Sequence, residues 1–77
     1  MSNITTLDLL PVGDMGKVKE LIADENVKRR FLDLGLINGT KVEALQKSPA
    51  GDPVAYYIRG TVIALRLQEA AKIIIEI

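Results

Sequence analysis

The sequence predicts a mainly β fold, a small five-stranded barrel with one inserted α-helix at about residues 25–34. Short segments in which apolar and polar side chains alternate, the period of a half-buried strand, recur between turns that contain glycine and proline. One segment instead has its apolar side chains at helical spacing. In a chain of 77 residues, closing the strands into a barrel would remove exposed strand edges that a small β protein tolerates poorly.

Length and composition predict one domain over residues 1–77, because a chain of this size supports only a small core. The hydrophobic fraction of 48% is mostly aliphatic, with one phenylalanine, two tyrosines and no tryptophan. Ten basic and ten acidic residues cancel, so the overall charge favours neither nucleic acid nor an anionic membrane. No apolar run approaches the roughly 20 residues of a membrane span. We therefore expect a folded cytoplasmic protein without direct membrane insertion.

The chain ahead of the helix predicts one strand and little other regular structure. Residues 1–3 are expected to be loose, and a short apolar cluster predicts a helical turn near residues 7–10. A glycine-containing turn then leads into strand one at residues 17–22, which places Val18 and Ile22 on one face.

The inserted helix has clear start and end signals. Asp24 is in position to cap the first turn, because its carboxylate can accept a hydrogen bond from a free backbone N–H. Val27, Phe31 and Leu34 follow at helical spacing and share one apolar face. Gly35 can take the left-handed conformation that ends a helix.

Leu36 and Ile37 follow the helix end directly and cannot both face inward in a tight turn. We expect Leu36 to pack back on the helix and Ile37 to lie at the surface, where it could make an apolar contact. Asn38-Gly39 then supplies a second turn. The residues with expected structural roles are Phe31, Leu34, Gly35, Leu36 and Gly39.

The second half of the chain predicts the remaining strands. Alternation after Thr40 is interrupted at Leu45, where a bulge or bend is expected. Two further alternating segments flank Gly60-Thr61 and predict a hairpin. The predicted elements are strand two at 40–47, strands three and four at 54–59 and 62–67, a helical turn near 67–71 and strand five at 73–77.

Three separated motifs resemble the FeoA family. They are Arg30-Phe-Leu-Asp-Leu-Gly-Leu-x-x-Gly39, the loop Ser48-Pro-Ala-Gly-Asp-Pro53, and Ile63-Ala-Leu-Arg66-x-x-Glu69-Ala70 ahead of an isoleucine-rich end. The resemblance spans essentially the whole chain and implies an SH3-like barrel. It also implies an accessory role in ferrous iron uptake, with FeoB, a membrane ferrous iron transporter that has a cytosolic G-protein domain, as partner.

The cationic run Lys28-Arg29-Arg30 is the first candidate surface. Arg29, Arg30 and Asp33 are placed outward, and arginine can pair with a carboxylate through two hydrogen bonds, which suits protein interfaces. Together with Ile37 they form a hypothetical patch for a protein partner. The alternative interpretation is a solvated helix face on which Arg29 pairs with Asp33 four residues later.

The loop over residues 47–53 is the second candidate surface, with Ser48 and Asp52 as its polar members. Prolines and a glycine between two β patterns predict that it projects into solvent, where loops on a rigid scaffold often make contacts. The alternative interpretation is a plain connection between two strands.

The sequence offers no chemistry for catalysis, for a metal or for a cofactor. It contains no cysteine and no histidine, and its acidic residues are dispersed, so neither a nucleophile with its base nor a convergent ligand set is predicted. Tyr56 and Tyr57 alternate onto opposite faces of a strand, which argues against an aromatic groove for proline-rich peptides.

Two alternatives from other classes remain open. The segment from Gly13 to Val18 resembles the KOW element of RNA-associated barrels, although the neutral net charge argues against nucleic acid as a partner. The second alternative is a metalloregulator-like domain, although no DNA-reading helix is predicted. Homo-oligomerisation is also left open, because Ile74 faces away from its neighbours and the last strand could offer an edge.

Overall fold

Six antiparallel strands form a single sheet in the computed structural model, which describes residues 3–77. The strands are β1 (Ile4–Thr6), β2 (Met15–Leu21), β3 (Lys41–Lys47), β4 (Val54–Ile58), β5 (Thr61–Leu65) and β6 (Ile73–Glu76). The helices are α1 (Glu25–Asp33) and α2 (Leu67–Ala70), and a 3₁₀ turn spans Leu7–Leu9. The sheet order is β1-β6-β2-β3-β4-β5. The predicted mainly β class, its inserted helix and both short helical turns are confirmed.

Strand β1 is the element that the sequence did not predict. It pairs with β6 at the other end of the chain, with Ile4 opposite Glu76 and Thr5 opposite Ile75. The expectation of a loose start covers Met1 and Ser2, which lie outside the described residues, but it is wrong for Asn3. The Asn3 N–H donates to the Ile77 carbonyl at 3.3 Å. A three-residue strand is too short to show alternation, so only its distant partner defines it.

The last strand is not an edge, contrary to expectation. β6 lies between β1 and β2, and the strands at the two edges of the sheet are β1 and β5. Ile73 and Ile75 of β6 are buried as the alternation predicted, whereas Ile77 is about half exposed beyond the strand. The edge available to a partner is therefore at a different place from the one the sequence suggested.

Strand β2 begins two residues before the predicted start and contains an irregularity. Its pairing with β6 shifts register between Val18 and Glu20, so the alternation does not continue through Lys19. Val18 is buried, but Ile22 lies past the end of the strand and is 56% exposed. The prediction that these two side chains share a face is wrong, because the extra residue reverses the alternation.

Strands β3, β4 and β5 form a meander whose details follow the sequence closely. The bulge expected near Leu45 is confirmed by a register shift between Ala44 and Gln46. The predicted hairpin is also confirmed, but its turn is Arg59-Gly60, one residue earlier than expected. Both turn residues have positive φ, 49° and 83°, as a two-residue hairpin turn matched to strand twist requires.

Helix α1 is bounded as its sequence signals predicted. The Val27 N–H donates to the Asp24 carboxylate at 3.0 Å. At the other end Gly35 has φ +95°, its N–H donates to the Leu32 carbonyl at 3.0 Å, and the Leu36 N–H donates to the Phe31 carbonyl at 3.0 Å. This pair of bonds is a Schellman cap, and it sends the completely buried Leu36 back into the core.

The core lies against one face of the sheet, which wraps around it. Its buried side chains come from every strand except β1, together with Leu7 and Leu10 in and after the 3₁₀ turn, Phe31 of α1, Leu36 after that helix and Ala70 of α2. Val27 and Leu34 are partly buried against this cluster, as the helical spacing predicted. Within residues 3–77, neither helix is long and apolar enough to cross a membrane.

Candidate functional site

The sheet register aligns four outward side chains in one row across neighbouring strands. Met15 pairs with Glu43, Glu43 with Tyr57, and Tyr57 with Val62. Tyr57 is 45% exposed and Val62 is 60% exposed, whereas Tyr56, the residue before Tyr57 in β4, is buried in the core. We call Met15, Glu43, Tyr57 and Val62 the outer row; it offers mainly apolar surface to solvent.

A groove of about 620 Å³ runs beside the outer row. One wall is the turn after α1, with Ile37 and Gly39, and the other is formed by Tyr57 and Arg59 of the hairpin. Ile37 also lines a smaller groove of about 300 Å³ toward β2 and α1, so it forms a ridge between the two. Its side chain is 45% exposed while Leu36 is fully buried, in agreement with the expectation that only one of them faces inward.

The cationic patch of α1 is divided by the fold. The guanidinium of Arg30 donates to the Glu69 carboxylate, which joins α1 to α2, and it lies 5.4 Å from the centroid of the Phe31 ring. Arg29 and Asp33 are exposed, and within residues 3–77 they do not form the ion pair that the alternative interpretation, a solvated helix face, would have had. Arg29 and Asp33 thus remain open to a partner, whereas Arg30 is already engaged.

The loop between β3 and β4 is tied down more than the sequence suggested. The Leu67 N–H, at the start of α2, donates to Asp52 Oδ1 at 2.9 Å. Ser48 Oγ is buried and has no hydrogen-bond partner among the described residues, while the Ser48 N–H donates to the Pro53 carbonyl at 3.1 Å. Of residues 47–53, only Lys47, Pro49 and Ala50 are exposed, so the expectation that the whole loop projects into solvent is wrong. Asp52 caps a helix instead.

Arg59 is a groove residue that sequence reasoning missed. A non-glycine residue with positive φ is unusual, and here it places the arginine side chain against Gly35 at the end of α1. The sequence signal that could have identified it is Arg59-Gly60 between two alternating segments. The two central positions of a tight hairpin turn both require positive φ. Arg59 brings an exposed positive charge to the groove.

Tyr56 is the one described titratable group with a clear pKa shift. Its hydroxyl donates to the Leu7 carbonyl at 3.4 Å in the core. Burial raises the pKa of Tyr56 to about 12, and the negative charges of Asp8 and Asp52 add to the effect. A phenol held protonated inside the core has a structural role. No group of three or more histidine, cysteine, aspartate or glutamate side chains in residues 3–77 could hold a metal ion.

The site therefore consists of grooves and exposed side chains suited to contact with another macromolecule. The family model described as FeoA domain matches residues 5–77. A 71-residue stretch is 31% identical to a Porphyromonas gingivalis protein described as an Fe(2+) transport protein A/Fe(2+) transporter FeoB fusion protein. That match covers 92% of this chain and 8% of the fusion protein.

Two solved structures are similar along most of the chain. The FeoA protein of Chlorobium tepidum is 36% identical with a TM-score of 0.88, over 95% of this chain and 70% of that chain. The FeoA of Stenotrophomonas maltophilia, described as a prokaryotic SH3 domain protein and solved with zinc, is 29% identical with a TM-score of 0.82. That match covers 92% of this chain and 88% of the other. The expected SH3-like fold is confirmed.

Proposed function

The chain belongs to the FeoA family, and from that membership we propose that it is a non-enzymatic accessory protein of ferrous iron uptake that docks on the cytosolic part of a FeoB-type membrane transporter. Docking would modulate the assembly of the transporter or its nucleotide cycle. The protein would act in the cytoplasm, peripheral to the membrane through its partner.

The observation that carries this proposal is the similarity to the Porphyromonas gingivalis fusion protein, whose description joins an Fe(2+) transport protein A to FeoB in one chain. Fusion holds two modules at a high effective concentration, which benefits modules that act on each other. A separate chain must achieve the same contact through its own surface. The Stenotrophomonas maltophilia relative is described as a candidate ferrous iron transport activating factor, which agrees with an action on the transporter.

The surface that supports docking lies around Ile37. An apolar side chain on a ridge between two grooves can enter a pocket of a partner. Helix α1 borders the smaller groove through Lys28 and Leu32, and the exposed Arg29 and Asp33 are the next residues along the same helix. Interfaces typically combine an apolar centre with a polar rim in which arginine is frequent. Arg30 is a weaker candidate, because its guanidinium is held by Glu69.

Regulation would follow from differential binding. A transporter with a G-protein domain passes through at least two conformations, and a protein that binds one of them more tightly raises the population of that one. A tenfold preference corresponds to about 1.4 kcal/mol, which is within reach of a few surface contacts. The proposal therefore needs neither catalysis nor a metal in this chain.

The test is capture of the FeoB-type transporter of the same organism, solubilised in detergent, by the purified protein. We expect wild-type protein to retain the transporter, and Ile37→Asp and Arg29→Glu each to weaken binding at least tenfold. Lys72→Glu, an equal charge reversal at an exposed residue after α2, is the matched control and should bind normally. Absence of binding by the wild type would refute the proposal, and unchanged binding by both variants would refute this surface.

The alternative of an RNA-associated barrel has no comparable support. The segment that suggested it runs from a turn into β2, and the chain has as many acidic as basic residues. Phosphate-backbone binding depends on a surplus of positive charge and weakens steeply with salt. Salt-sensitive binding of RNA by the purified protein would favour this alternative.

A further inference from the structure

Strand β5 is an open and regular sheet edge. Among the strands of residues 3–77 it pairs only with β4, and this pairing keeps its register along all five residues from Thr61 to Leu65. Edge strands are usually protected by charged side chains, by proline, by bulges or by being very short. β5 contains no charged residue and no proline, whereas the other edge strand, β1, has only three residues. Among the two edges, β5 is the one that can accept another strand.

The hydrogen-bonding groups on that edge follow from the hairpin. In a hairpin with a two-residue turn, the residues flanking the turn, here Ile58 and Thr61, form a hydrogen-bonded pair, and such pairs recur at every second position. Val62 and Ala64 therefore direct their backbone N–H and C=O groups away from β4. No described residue accepts from or donates to these outward groups.

The side chains beside the edge are apolar. Val62 is the end of the outer row, and its neighbour across the hairpin is the exposed Tyr57. An added strand would lay alternate side chains along this face, where they would cover apolar surface now in contact with water. Backbone hydrogen bonds and side-chain burial would thus act together at the same edge.

The charges at the two ends of β5 indicate what kind of segment fits. Arg59 lies in the turn before the strand, with its side chain packed against Gly35, and Arg66 directly follows the strand; both are exposed, and within residues 3–77 neither forms an ion pair. Six residues lie between them, Gly60 of the turn and the five residues of β5, and the strand itself spans roughly 17 Å of extended chain. A complementary segment has carboxylates near both ends and alternating apolar residues between them.

We propose that the β5 edge binds an extended segment of this kind from the cytosolic part of the transporter, as an added antiparallel or parallel strand. The inference rests on the proposed function for the identity of the partner. A second copy of this chain is a poorer occupant. Antiparallel pairing of two β5 strands about Ile63 would bring Arg59 of one copy near Arg66 of the other, and like charges repel.

The first experiment measures amide hydrogen exchange in the wild-type protein, alone and with the purified cytosolic part of the transporter. We expect the amides of Val62 and Ala64 to exchange at least tenfold more slowly in the complex. A synthetic peptide of about nine residues, alternating valine and threonine between terminal glutamates, is the second probe. It should protect the same two amides, and less strongly at high salt.

The second experiment uses Ala64→Pro, which removes an outward N–H and no bond to β4. It should weaken binding of both probes at least tenfold, while the matched control Ala64→Ser, which keeps the N–H, binds as wild type. Thermal unfolding of both variants establishes that they are folded. Since the exchange measurement uses wild-type protein, a folding defect in Ala64→Pro would not leave the inference untested.

The outcomes separate the inference from the proposed function. The transporter part could bind without protecting the amides of Val62 and Ala64, and its binding could be unaffected by Ala64→Pro. That result would overturn the β5 site and keep the proposed function. Protection by the peptide alone would support the edge site and refute the transporter as its partner. If neither the transporter part nor the peptide binds, the β5 site and the proposed function are both refuted. Protection in the free protein that rises with concentration would assign the edge to a second copy and overturn our choice of occupant.

Discussion

The side chain of Arg59 lies directly over Gly35, so that a methyl group added at Gly35 would be 2.7 Å from Arg59 Cδ. The two residues belong to different turns, the end of α1 and the β4–β5 hairpin, and both have positive φ. Their contact packs the hairpin turn against the end of α1, beside the larger groove that Arg59 lines. Gly35 therefore satisfies two requirements, a backbone conformation and the absence of a side chain.

Gly35→Ala should destabilise the protein more than Gly39→Ala. The two glycines have nearly equal φ, +95° and +91°, but a Cβ at Gly39 would meet nothing within 4 Å. We expect a loss of about 1–2 kcal/mol at Gly39 from backbone strain alone, and a further loss at Gly35 from the clash. Urea unfolding of both variants measures the difference.

A double-mutant cycle isolates the clash. Arg59→Gly removes the whole side chain and suits positive φ, so Gly35→Ala should cost less in the Arg59→Gly background than in wild type. An equal cost in both backgrounds would show that the backbone conformation at Gly35 accounts for the whole effect.

Tyr56 should make stability fall in strong alkali. Its pKa is about 12 in the folded protein against 10.0 ordinarily, so the folded state holds the proton more tightly. The contribution is complete below pH 10 and is lost as the pH rises toward 12, by roughly 2–3 kcal/mol in the free energy of unfolding.

Chemical denaturation at a series of pH values between 9 and 12 tests this expectation. Tyr56→Phe should lack the tyrosine-dependent part of the decline, whereas Tyr57→Phe, changed at an exposed position, should decline as wild type does. The other ionisable residues are the same in wild type and in Tyr56→Phe, so the comparison isolates Tyr56. Parallel curves of stability against pH for Tyr56→Phe and wild type would contradict the assignment of this decline to Tyr56.

Arg29 and Arg30 should separate into a binding and a structural residue. Arg30→Gln removes the contact with Glu69 and should lower the free energy of unfolding by up to about 1 kcal/mol, since the pair is partly exposed. Arg29→Gln should leave stability unchanged, because Arg29 forms no ion pair in the described structure. Thermal unfolding compares them, and equal losses would show that the Glu69 pair contributes nothing.

Asp52 should support α2 from a distant loop. Asp52→Ala leaves the Leu67 N–H without its acceptor and should cost about 1 kcal/mol, whereas Asp52→Asn keeps an oxygen in place and should cost less. Ser48→Ala in the same loop removes a hydroxyl with no described partner and should cost nothing. A stable Asp52→Ala variant would leave the loop open as a contact surface.

Elements defined by neighbouring residues were predictable from the sequence. The cap at Asp24, the Schellman cap after α1, the bulge near Leu45 and the β4–β5 hairpin each depend on interactions within a few residues, and all were predicted in type. For the candidate site, the exposure of Ile37 followed from the same local argument. Boundaries shifted by one or two residues, because the turn at Arg59-Gly60 and the irregularity at Lys19 leave weak local signals.

By itself, the sequence determined the mainly β class, the helix with its ends, the family, and which residues near the helix are apolar or charged. Only the tertiary structure decided how those residues are used. It placed β1 beside β6, engaged Arg30 with Glu69 39 residues away, turned Asp52 into a cap for α2, and left β5 as the open edge. The reason is that local signals act through the backbone of adjacent residues, whereas strand partners and side-chain contacts between distant segments are selected by the register and packing of the whole core.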